Sequence, residues 1–279
     1  GFLIDGDART VRLTEAKAKD IVQEISKILK KWHVPLARFR SILGRLRHAA
    51  TIIPSAKGMF SPLNKALQGE PPKIGLGKTS EVREALVDLR DLIRSLATRP
   101  THIFELHQST NDYIGYCDAC ATGAGGVWFS GTKSLDPLVW RFQFPKDISS
   151  QVVSDDNPNG HITNSDLELA GVILQYAALE NHVDLSHARS GIFCDNTPAV
   201  FWSKRMADRS KERTSGHLLR GFAMRQRGNQ SGPVTVASVA GDENKMADIA
   251  SRVFNLQNVP HADSQFLSYF NDQFPLPQN

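Results

Sequence analysis

The chain has few cysteines and no long apolar run. Only three cysteines occur among its 279 residues, at positions Cys117, Cys120 and Cys194. That number is too small for a disulfide framework, so a reducing, intracellular compartment, the cytoplasm or the nucleus, is expected. No apolar stretch approaches the roughly 20 residues of a membrane-spanning helix, and we expect no membrane partner. Cys117 and Cys120 are spaced like half of a zinc knuckle, but no second ligand pair follows, and both are interpreted as small core residues.

The sequence also lacks an initial methionine and a signal peptide. It begins Gly1-Phe-Leu-Ile-Asp5, which is typical of the interior of a polypeptide, and the chain is interpreted as a piece of a longer polyprotein or multidomain enzyme. With 41% hydrophobic residues it can bury a core, and its length suffices for two domains.

Positive charge is concentrated at the start of the chain. Residues 1–70 contain 13 Lys and Arg against 6 Asp and Glu, a net charge of +7; because the whole chain carries +4, the remainder carries −3. A basic module joined to a mildly acidic one favours a polyanionic partner that one part grips and the other processes. A solvated basic helix face is the alternative interpretation.

Three amphipathic helices are predicted within residues 1–69. Thr14 is a suitable N-cap for the first, whose apolar residues recur at helical spacing as far as Trp32. Pro35 opens the second helix at its first turn, and the third covers about residues 54–67. These helices predict a small bundle. Residues 70–111 are interpreted as a linker followed by a connecting helix over about residues 80–97.

From residue 112 onward, strands are mixed with helices. Residues 113–118 predict a strand that ends in Asp118, and Gly123, Gly125 and Gly126 predict the hairpin turn that leads to a second strand. Further strands are predicted at 137–144, 190–195 and 233–239, and helices at about 165–178, 197–227 and 244–252. We therefore expect residues 112–254 to form an α/β domain, a mixed five-stranded sheet with helices on its faces, and residues 255–279 to form a C-terminal tail.

Four acids stand at prominent positions in these elements. Asp118 and Asp195 end predicted strands, and Glu168 and Asp248 lie in predicted helices. If the two strands are neighbours, the helical acids can reach in from either side. Carboxylates about 4 Å apart repel by roughly 4 kcal/mol at an effective dielectric constant of about 20. Two bridging Mg²⁺ ions would relieve this repulsion. For any single acid, a surface or capping role is the better interpretation, but the ordered set of four favours a metal site.

Four short motifs resemble the ribonuclease H domain of retroelement reverse transcriptases. They are Tyr116-Cys-Asp-Ala119, Asn164-Ser-Asp-Leu-Glu-Leu-Ala170, Phe193-Cys-Asp-Asn196 and Asn244-Lys-Met-Ala-Asp-Ile-Ala-Ser-Arg252. Upstream, residues 43–54 and 60–63 are similar to the thumb that follows a polymerase palm. The resemblance covers most of residues 1–254, and its style is closest to retrotransposons of the DIRS type, which carry a tyrosine recombinase.

The resemblance implies an endonuclease that cuts the RNA strand of RNA–DNA hybrids. Asp118, Glu168, Asp195 and Asp248 would be its catalytic residues and metal ligands, holding two Mg²⁺ ions, with Mn²⁺ as the alternative. The implied partners are the hybrid, through its nucleic acid backbone, and the polymerase palm and fingers of the same polyprotein. The aspartate-pair motif of a polymerase is absent from this chain, so the chain by itself is not expected to copy nucleic acid.

The last motif leaves two alternatives open. Many relatives carry a His in the loop before the last helix, whereas residues 238–244 contain none. Product release or proton handling then differs, or another group such as Glu243 substitutes. Asp242 is the nearest rival of Asp248 as the fourth ligand, although the Ser-Arg pair at residues 251–252 favours Asp248.

A second basic segment is the candidate for substrate binding. Between residues 204 and 227, eight Lys and Arg outnumber two acids, and phosphate contacts need only positive charge on one face. The segment could hold a hybrid whose 2′-hydroxyls are read in the minor groove. A solvated helix pair is the alternative. The candidate substrate-binding residues are Asn196, Thr197, Lys204, Arg205, Arg209 and Arg213, and Lys211, Arg220, Arg225 and Arg227 complete the basic segment.

Two other functions compete with the nuclease. One is a catalytically silent ribonuclease H-like connection or nucleic-acid-binding module, although such a module has no reason to concentrate charge that repels phosphate. The other is a DNA-cutting transposase or integrase of the same fold, in which the thumb-like bundle has no role.

Overall fold

A computed structural model describes residues 1–54, 56–107, 110–131, 137–205 and 214–252. Their strands are β1 (Phe2–Asp5), β2 (Thr10–Leu13), β3 (His33–Pro35), β4 (Lys73–Gly75), β5 (Thr101–His102), β6 (Tyr113–Cys120), β7 (Gly123–Ser130), β8 (Leu138–Gln143), β9 (Ser190–Cys194) and β10 (Thr235–Ser238). Their α-helices are α1 (Glu15–Leu29), α2 (Leu36–Ala50), α3 (Ser61–Lys65), α4 (Glu81–Thr98), α5 (Lys146–Ser149), α6 (Asn164–Glu180), α7 (Thr197–Arg205), α8 (Thr214–Asn229) and α9 (Lys245–Arg252). Short 3₁₀ helices cover Ala56–Phe60, Ile103–Leu106 and Gly241–Glu243.

The chain divides into two compact units. The first comprises Gly1–Ser109 and Arg205–Pro233, and the second comprises Thr110–Lys204 and Val234–Asn279. The domain boundaries predicted at residues 69, 111 and 254 remain a prediction, and the predicted tail at residues 255–279 lies outside the described residues. None of the described helices combines the length and the apolar character needed to cross a bilayer.

The first unit contains the predicted helices together with strands that the sequence did not predict. Ile21, Ile25 and Ile28 of α1 are buried, at the helical spacing read from the sequence. The unpredicted strands form a three-stranded sheet in the order β1-β2-β5 and a two-stranded sheet of β3 and β4. These strands have only two to four residues, too few to show an alternating pattern. Residues 73–75, predicted as linker, form β4.

Helix α8 belongs to the first unit, because its arginines pair there. Arg220 forms ion pairs with Glu84 at 3.2 Å and Asp88 at 3.1 Å, both on α4. Arg227 is 3% exposed and donates to Glu105 at 3.2 Å and to Thr101 Oγ1 at 2.9 Å. Two arginines of the predicted substrate-binding segment therefore hold this unit together, and that part of the sequence interpretation is corrected.

The second unit is built on a five-stranded sheet in the order β10-β9-β6-β7-β8. The hairpin β6-β7 and the pair β7-β8 are antiparallel, whereas β9 runs parallel to β6 and β10 parallel to β9. This mixed sheet, with helices on its faces and a helical region before it, confirms the predicted ribonuclease H-like fold class.

The glycines near Asp118 have a different role from the predicted one. The turn of the hairpin is formed by Ala121 and Thr122, and Gly123, Gly125 and Gly126 lie inside β7. A Cβ at Gly125 would lie 2.4 Å from the carbonyl carbon of Ala250 in α9, and a Cβ at Gly126 would lie 2.1 Å from Gln175 Oε1 in α6. Consecutive strand residues face opposite sides of a sheet, so these glycines let α9 and α6 approach β7 from its two faces.

Candidate metal centre at the end of the sheet

Two of the predicted acids lie at the ends of neighbouring parallel strands. Asp118 is in the last part of β6, and Asp195 directly follows β9. The register pairs Tyr116 with Phe193, and continuing it by two residues brings the two aspartates opposite each other. Since parallel strands end at the same edge of a sheet, both carboxylates point to one site. From the sequence, the site was conditional on these two strands being neighbours, and the structure meets that condition.

Glu168 reaches this site from α6. The helix begins after Thr163, which forms a capping box with Asp166. Glu168 is 4% exposed, and the backbone N–H of Ala119 donates to its carboxylate. A Cβ at Gly171, one turn further, would lie 3.4 Å from Ala119, so α6 packs closely on the strand that carries Asp118.

Asp248 reaches the same site from α9, on the opposite face. Ser251, one turn after Asp248, donates a hydrogen bond from Oγ to Asp118 Oδ2, and its Oγ is 2.9 Å from the Asp248 carbonyl oxygen. Just before the helix, Asn244 Nδ2 donates to the Cys117 carbonyl at 3.0 Å. Arg252 Nε donates to Asp248 Oδ1 at 2.5 Å. Helix α9 and the residue before it are thus tied to β6 at Asp118 and at the neighbouring Cys117.

The carboxylates disturb one another electrostatically. Burial raises the pKa of Asp118 from its ordinary value of 3.8 to about 7; the charges of Asp195 and Asp248 add to the rise, and the Ser251 hydrogen bond opposes it. Burial, followed by the charge of Asp118, raises the pKa of Glu168 from 4.5 to about 10. Burial also raises the pKa of Asp195, and the charge of Asp248 adds to that effect. The structure therefore brings together the four acids named from the sequence, in a site that disfavours the ionisation of Asp118, Glu168 and Asp195.

A cysteine also lies at the site. Oxygen or sulfur atoms of Glu168, Cys194 and Asp195 lie within 4.8 Å of one another, and Cys194 Sγ is 3.8 Å from Glu168 Oε2. Sequence reasoning treated Cys194 only as evidence about the redox compartment. Its position directly before Asp195, on a buried strand, was the signal that could have placed it here. Cys117 is buried as expected of a core residue, and Cys120 is half-buried.

The predicted substrate-binding residues have mixed outcomes. Asn196 is half-buried, and its Oδ1 accepts from the Ala199 backbone N–H at 3.0 Å, so it caps α7. Thr197 and Lys204, at the two ends of the same helix, are exposed. The side chain of Arg205 is outside the described part of the chain, as are Arg209 and Arg213 and the further basic residue Lys211.

The loop before α9 contains the two alternative acids. Asp242 and Glu243 lie in the 3₁₀ turn Gly241–Glu243, and both are exposed. The charge of Asp248 raises the pKa of Asp118 and of Asp195. The charge of Asp242 is not a cause of either pKa shift. This contrast favours Asp248 as the fourth member of the cluster.

Besides Cys194, the sequence interpretation did not assign Ser251 and Asn244 to the site. Ser251 is fully buried and Asn244 is 1% exposed. Asn244 Oδ1 is buried without a hydrogen-bond partner among the described residues. Both belong to the motif around Asp248. Ser251 follows Asp248 by three positions, so these two residues lie on one helix face. That spacing was the available signal.

The chain was also compared with known proteins. No protein-family model matches it, and no curated protein matches it. Among solved structures, the N-terminal RNase H domain of a Mycobacterium tuberculosis protein, fused to maltose-binding protein, is 14% identical over 53% of this chain and 98% of that chain, with a TM-score of 0.36. RNase H1 from the archaeon Halobacterium salinarum is 17% identical over 50% of this chain and 92% of that chain, with a TM-score of 0.35.

A longer match is to the foamy viral protease–reverse transcriptase in complex with double-stranded DNA. It is 13% identical over 86% of this chain and 44% of that chain, with a TM-score of 0.31. The ribonuclease H-like assignment of the present chain rests on the order and directions of its five strands.

Proposed function

We propose that the chain is a Mg²⁺-dependent ribonuclease H that cuts the RNA strand of RNA–DNA hybrids internally. The observation that carries this proposal is the convergence of Asp118, Glu168, Asp195 and Asp248, from two strands and two helices, on one end of the sheet. Two of these carboxylates are almost completely buried, which is costly unless cations or protons compensate their charge.

The donor set fits hard divalent cations. Carboxylate oxygens are the ligands that Mg²⁺ prefers, and Mn²⁺ accepts the same ligands. Burial is the largest cause of the raised pKa values of Asp118 and Glu168, and the charges of neighbouring acids add to it. A bound cation would relieve both effects. Asp118, Glu168, Asp195 and Asp248 would hold two such ions. Bound there, the ions would supply an activated water and charge neutralisation at the phosphorus.

The remaining contacts place the ligands. Ser251 holds one oxygen of Asp118, and the Ala119 N–H orients Glu168. Arg252 holds one oxygen of Asp248, so that the other is left for a ligand role. Gly125 allows α9 to lie against β7, which brings Asp248 close enough to act with Asp118. These fixed positions limit the reorganisation that the site needs when it binds cations and substrate.

The substrate and the wider protein are part of the proposal. Thr197 and Lys204 are exposed on the helix that follows Asp195, and with the basic residues at 205–213 they would contact the hybrid backbone. The thumb-like sequence of residues 43–54 supports a place after a polymerase, and the motif style supports a DIRS-type retrotransposon. The partners would then be the palm and fingers of the same polyprotein.

A cleavage assay tests the assignment. The chain is incubated with Mg²⁺ and a hybrid labelled on its RNA strand, and Asp118→Asn and Asp195→Asn are compared with the unaltered protein. Both variants should cut at least about 100-fold more slowly, because metal-assisted charge stabilisation contributes several kcal/mol to such a step. Asp155→Asn serves as the matched control, since Asp155 is exposed in the loop after α5.

Three outcomes would contradict the proposal. Undiminished cutting by Asp118→Asn or by Asp195→Asn would show that the catalytic residues are wrongly assigned. No cutting by the unaltered protein, together with no divalent ion bound in calorimetry, would favour the silent nucleic-acid-binding module instead. Faster cutting of duplex DNA than of the hybrid would favour a transposase-like enzyme.

A further inference from the structure

An exposed tryptophan stands in the turn between α1 and β3. Trp32 is 65% exposed, whereas tryptophan is usually well buried in folded proteins. Its neighbours Lys30, Lys31 and His33 are exposed as well. We call the side chains of Lys30, Lys31, Trp32, His33, Lys73 and Lys78 the Trp32 surface.

The backbone under this surface is firmly held. The Leu76 N–H donates to the Trp32 carbonyl at 2.7 Å, and β3 pairs with β4 so that Gly75 lies opposite His33. Val34 and Ile74, which face each other in this pair, are buried. Lys73 lies next to Ile74 and opposite Pro35, Lys78 lies two residues after Leu76, and both lysines are exposed. The turn therefore presents its aromatic ring and its lysines from a fixed position.

The structure separates paired from unpaired basic residues in the first unit. Arginines of α2 are engaged: Arg38 with Glu24 at 2.8 Å, Arg45 with Asp20 at 2.5 Å, and Arg40 with Glu70. By contrast, the lysines of the Trp32 surface form no ion pair with any other described residue. Residues 25–40 and 71–80 contain no acid at all. The positive charge of these four lysines is therefore not neutralised by any described acid.

Helix capping does not account for this arrangement. Lysines near a helix C-terminus can serve the free carbonyls and the helix dipole. Here, however, Arg83 donates to the Leu29 carbonyl at 2.8 Å, and the Lys31 N–H donates to the Ile28 carbonyl at 3.0 Å. Capping would also give no reason for an exposed indole ring beside the lysines.

We propose that the Trp32 surface binds single-stranded nucleic acid. An accessible aromatic ring stacks on a base, and every base offers a face for this contact when it is unpaired. The surrounding lysines match the phosphates on either side of the stacked base. The bases of a duplex are already stacked on each other, so a single strand is the form that uses both features. This site lies in the first unit and does not depend on the metal centre.

Fluorescence anisotropy with the full chain tests the proposal. The probe is a labelled oligothymidylate about 16 nucleotides long, at the upper end of the sites that one aromatic platform and groove cover. Trp32→Ala should weaken binding about tenfold, because one base–aromatic stack is lost. The slope of the logarithm of the binding constant against the logarithm of the salt concentration is negative. In the double variant Lys30→Gln, Lys31→Gln it should become less negative by about 0.7 for each lysine removed. A uridylate oligomer shows whether RNA is held equally well.

Matched controls separate the surface from general effects. Ile4 is 72% exposed in β1 and Lys146 is exposed in α5, so Ile4→Ala and Lys146→Gln should bind like the unaltered protein. Binding of Trp32→Ala that equals that of the unaltered protein would overturn the proposal. So would a duplex that binds as tightly as the single strand and is equally sensitive to Trp32→Ala. Displacement of the oligonucleotide by polyglutamate at equal charge concentration would assign the surface to an acidic protein instead. The anisotropy measurements contain a chelator, which keeps this result separate from the metal-dependent cleavage assay.

Discussion

Ser251 shows how one hydroxyl can connect two parts of a candidate metal site. It is fully buried, and its Oγ donates to Asp118 while lying 2.9 Å from the carbonyl oxygen of Asp248. A buried carboxylate that keeps a hydrogen-bond donor retains its anionic form more readily. The Ser251 hydrogen bond accordingly lowers the pKa of Asp118 against the larger effect of burial.

Removal of this hydroxyl should weaken cation binding. In Ser251→Ala, Asp118 loses its donor, its pKa rises further, and more protons must leave before a cation binds. A lost hydrogen bond to a buried charged group costs about 1–3 kcal/mol, so we expect Mn²⁺ affinity in calorimetry to fall about tenfold at neutral pH. Ser203→Ala is the control, because Ser203 is buried in the same unit and its Oγ has no partner among the described residues. Equal affinities of the two variants would refute this role.

At the scale of elements, the contact of helix α9 with strand β7 sets the distance between Asp118, which lies on a strand, and Asp248, which lies on α9. The contact is possible because Gly125, opposite Asp118 in the hairpin, has no side chain. A Cβ there would meet Ala250 and Ser251 atoms at 2.4 to 2.6 Å, distances at which the backbone has to move.

Gly125→Ala should therefore displace α9 and impair the site. We expect a loss of about 1–3 kcal/mol in the free energy of unfolding of the second unit, together with weaker cation binding, measured by chemical denaturation and calorimetry. Gly44→Ala offers the opposite case, since Gly44 lies in α2 with no atom within 4 Å of its added Cβ. That variant should gain about 0.5–1 kcal/mol. A neutral effect of Gly125→Ala on both measurements would show that α9 tolerates the added methyl group.

Element prediction succeeded where a pattern is long and local. The amphipathic pattern of α1 and the apolar strand before Asp195 are properties of neighbouring residues. Prediction failed for β1 to β5, because strands of two to four residues carry no readable periodicity. It also misassigned the glycines of β7 to a turn, because a glycine needed for close packing looks the same in sequence as a glycine needed for a turn.

For the molecule as a whole, the acid cluster makes stability depend on pH and on cations. The pKa of Asp118 is raised from 3.8 to about 7 and that of Glu168 from 4.5 to about 10 in the folded state. Folding therefore favours the protonated forms, and the unfolded chain releases these protons first as pH rises. The resulting contribution to stability is fully present below about pH 4 and is lost as pH rises toward 7 and beyond.

Thermal denaturation in the presence of a chelator checks this sign. From about pH 5 to about pH 8 the cation-free protein should lose stability through this cluster, and saturating Mg²⁺ should restore it, most strongly at the higher pH, because cations bind the ionised acids. Asp118→Asn, which cannot ionise at this position, should flatten the pH dependence and reduce the effect of Mg²⁺. A cation-free protein whose pH dependence is the same with and without Asp118→Asn would contradict the assigned pKa shift.

The sequence by itself determined the fold class and the identities of the candidate acids. Both follow from local order along the chain: apolar strands that end in Asp118 and Asp195, and helices that carry Glu168 and Asp248 at readable spacings. Each motif is short, but the four motifs occur in one order along the chain, and that order was enough to assign their acids to one site.

Only the tertiary structure decided which side chains are free and which are engaged. Arg227 and Glu105 are 122 residues apart in sequence, so no local pattern could show that a basic residue of the predicted substrate-binding segment is buried in an ion pair. The same holds for Ser251 and Asp118, which are 133 residues apart. Charge and hydrogen-bonding capacity are properties of a residue, but their availability depends on long-range packing, and that packing left Trp32 and its lysines exposed.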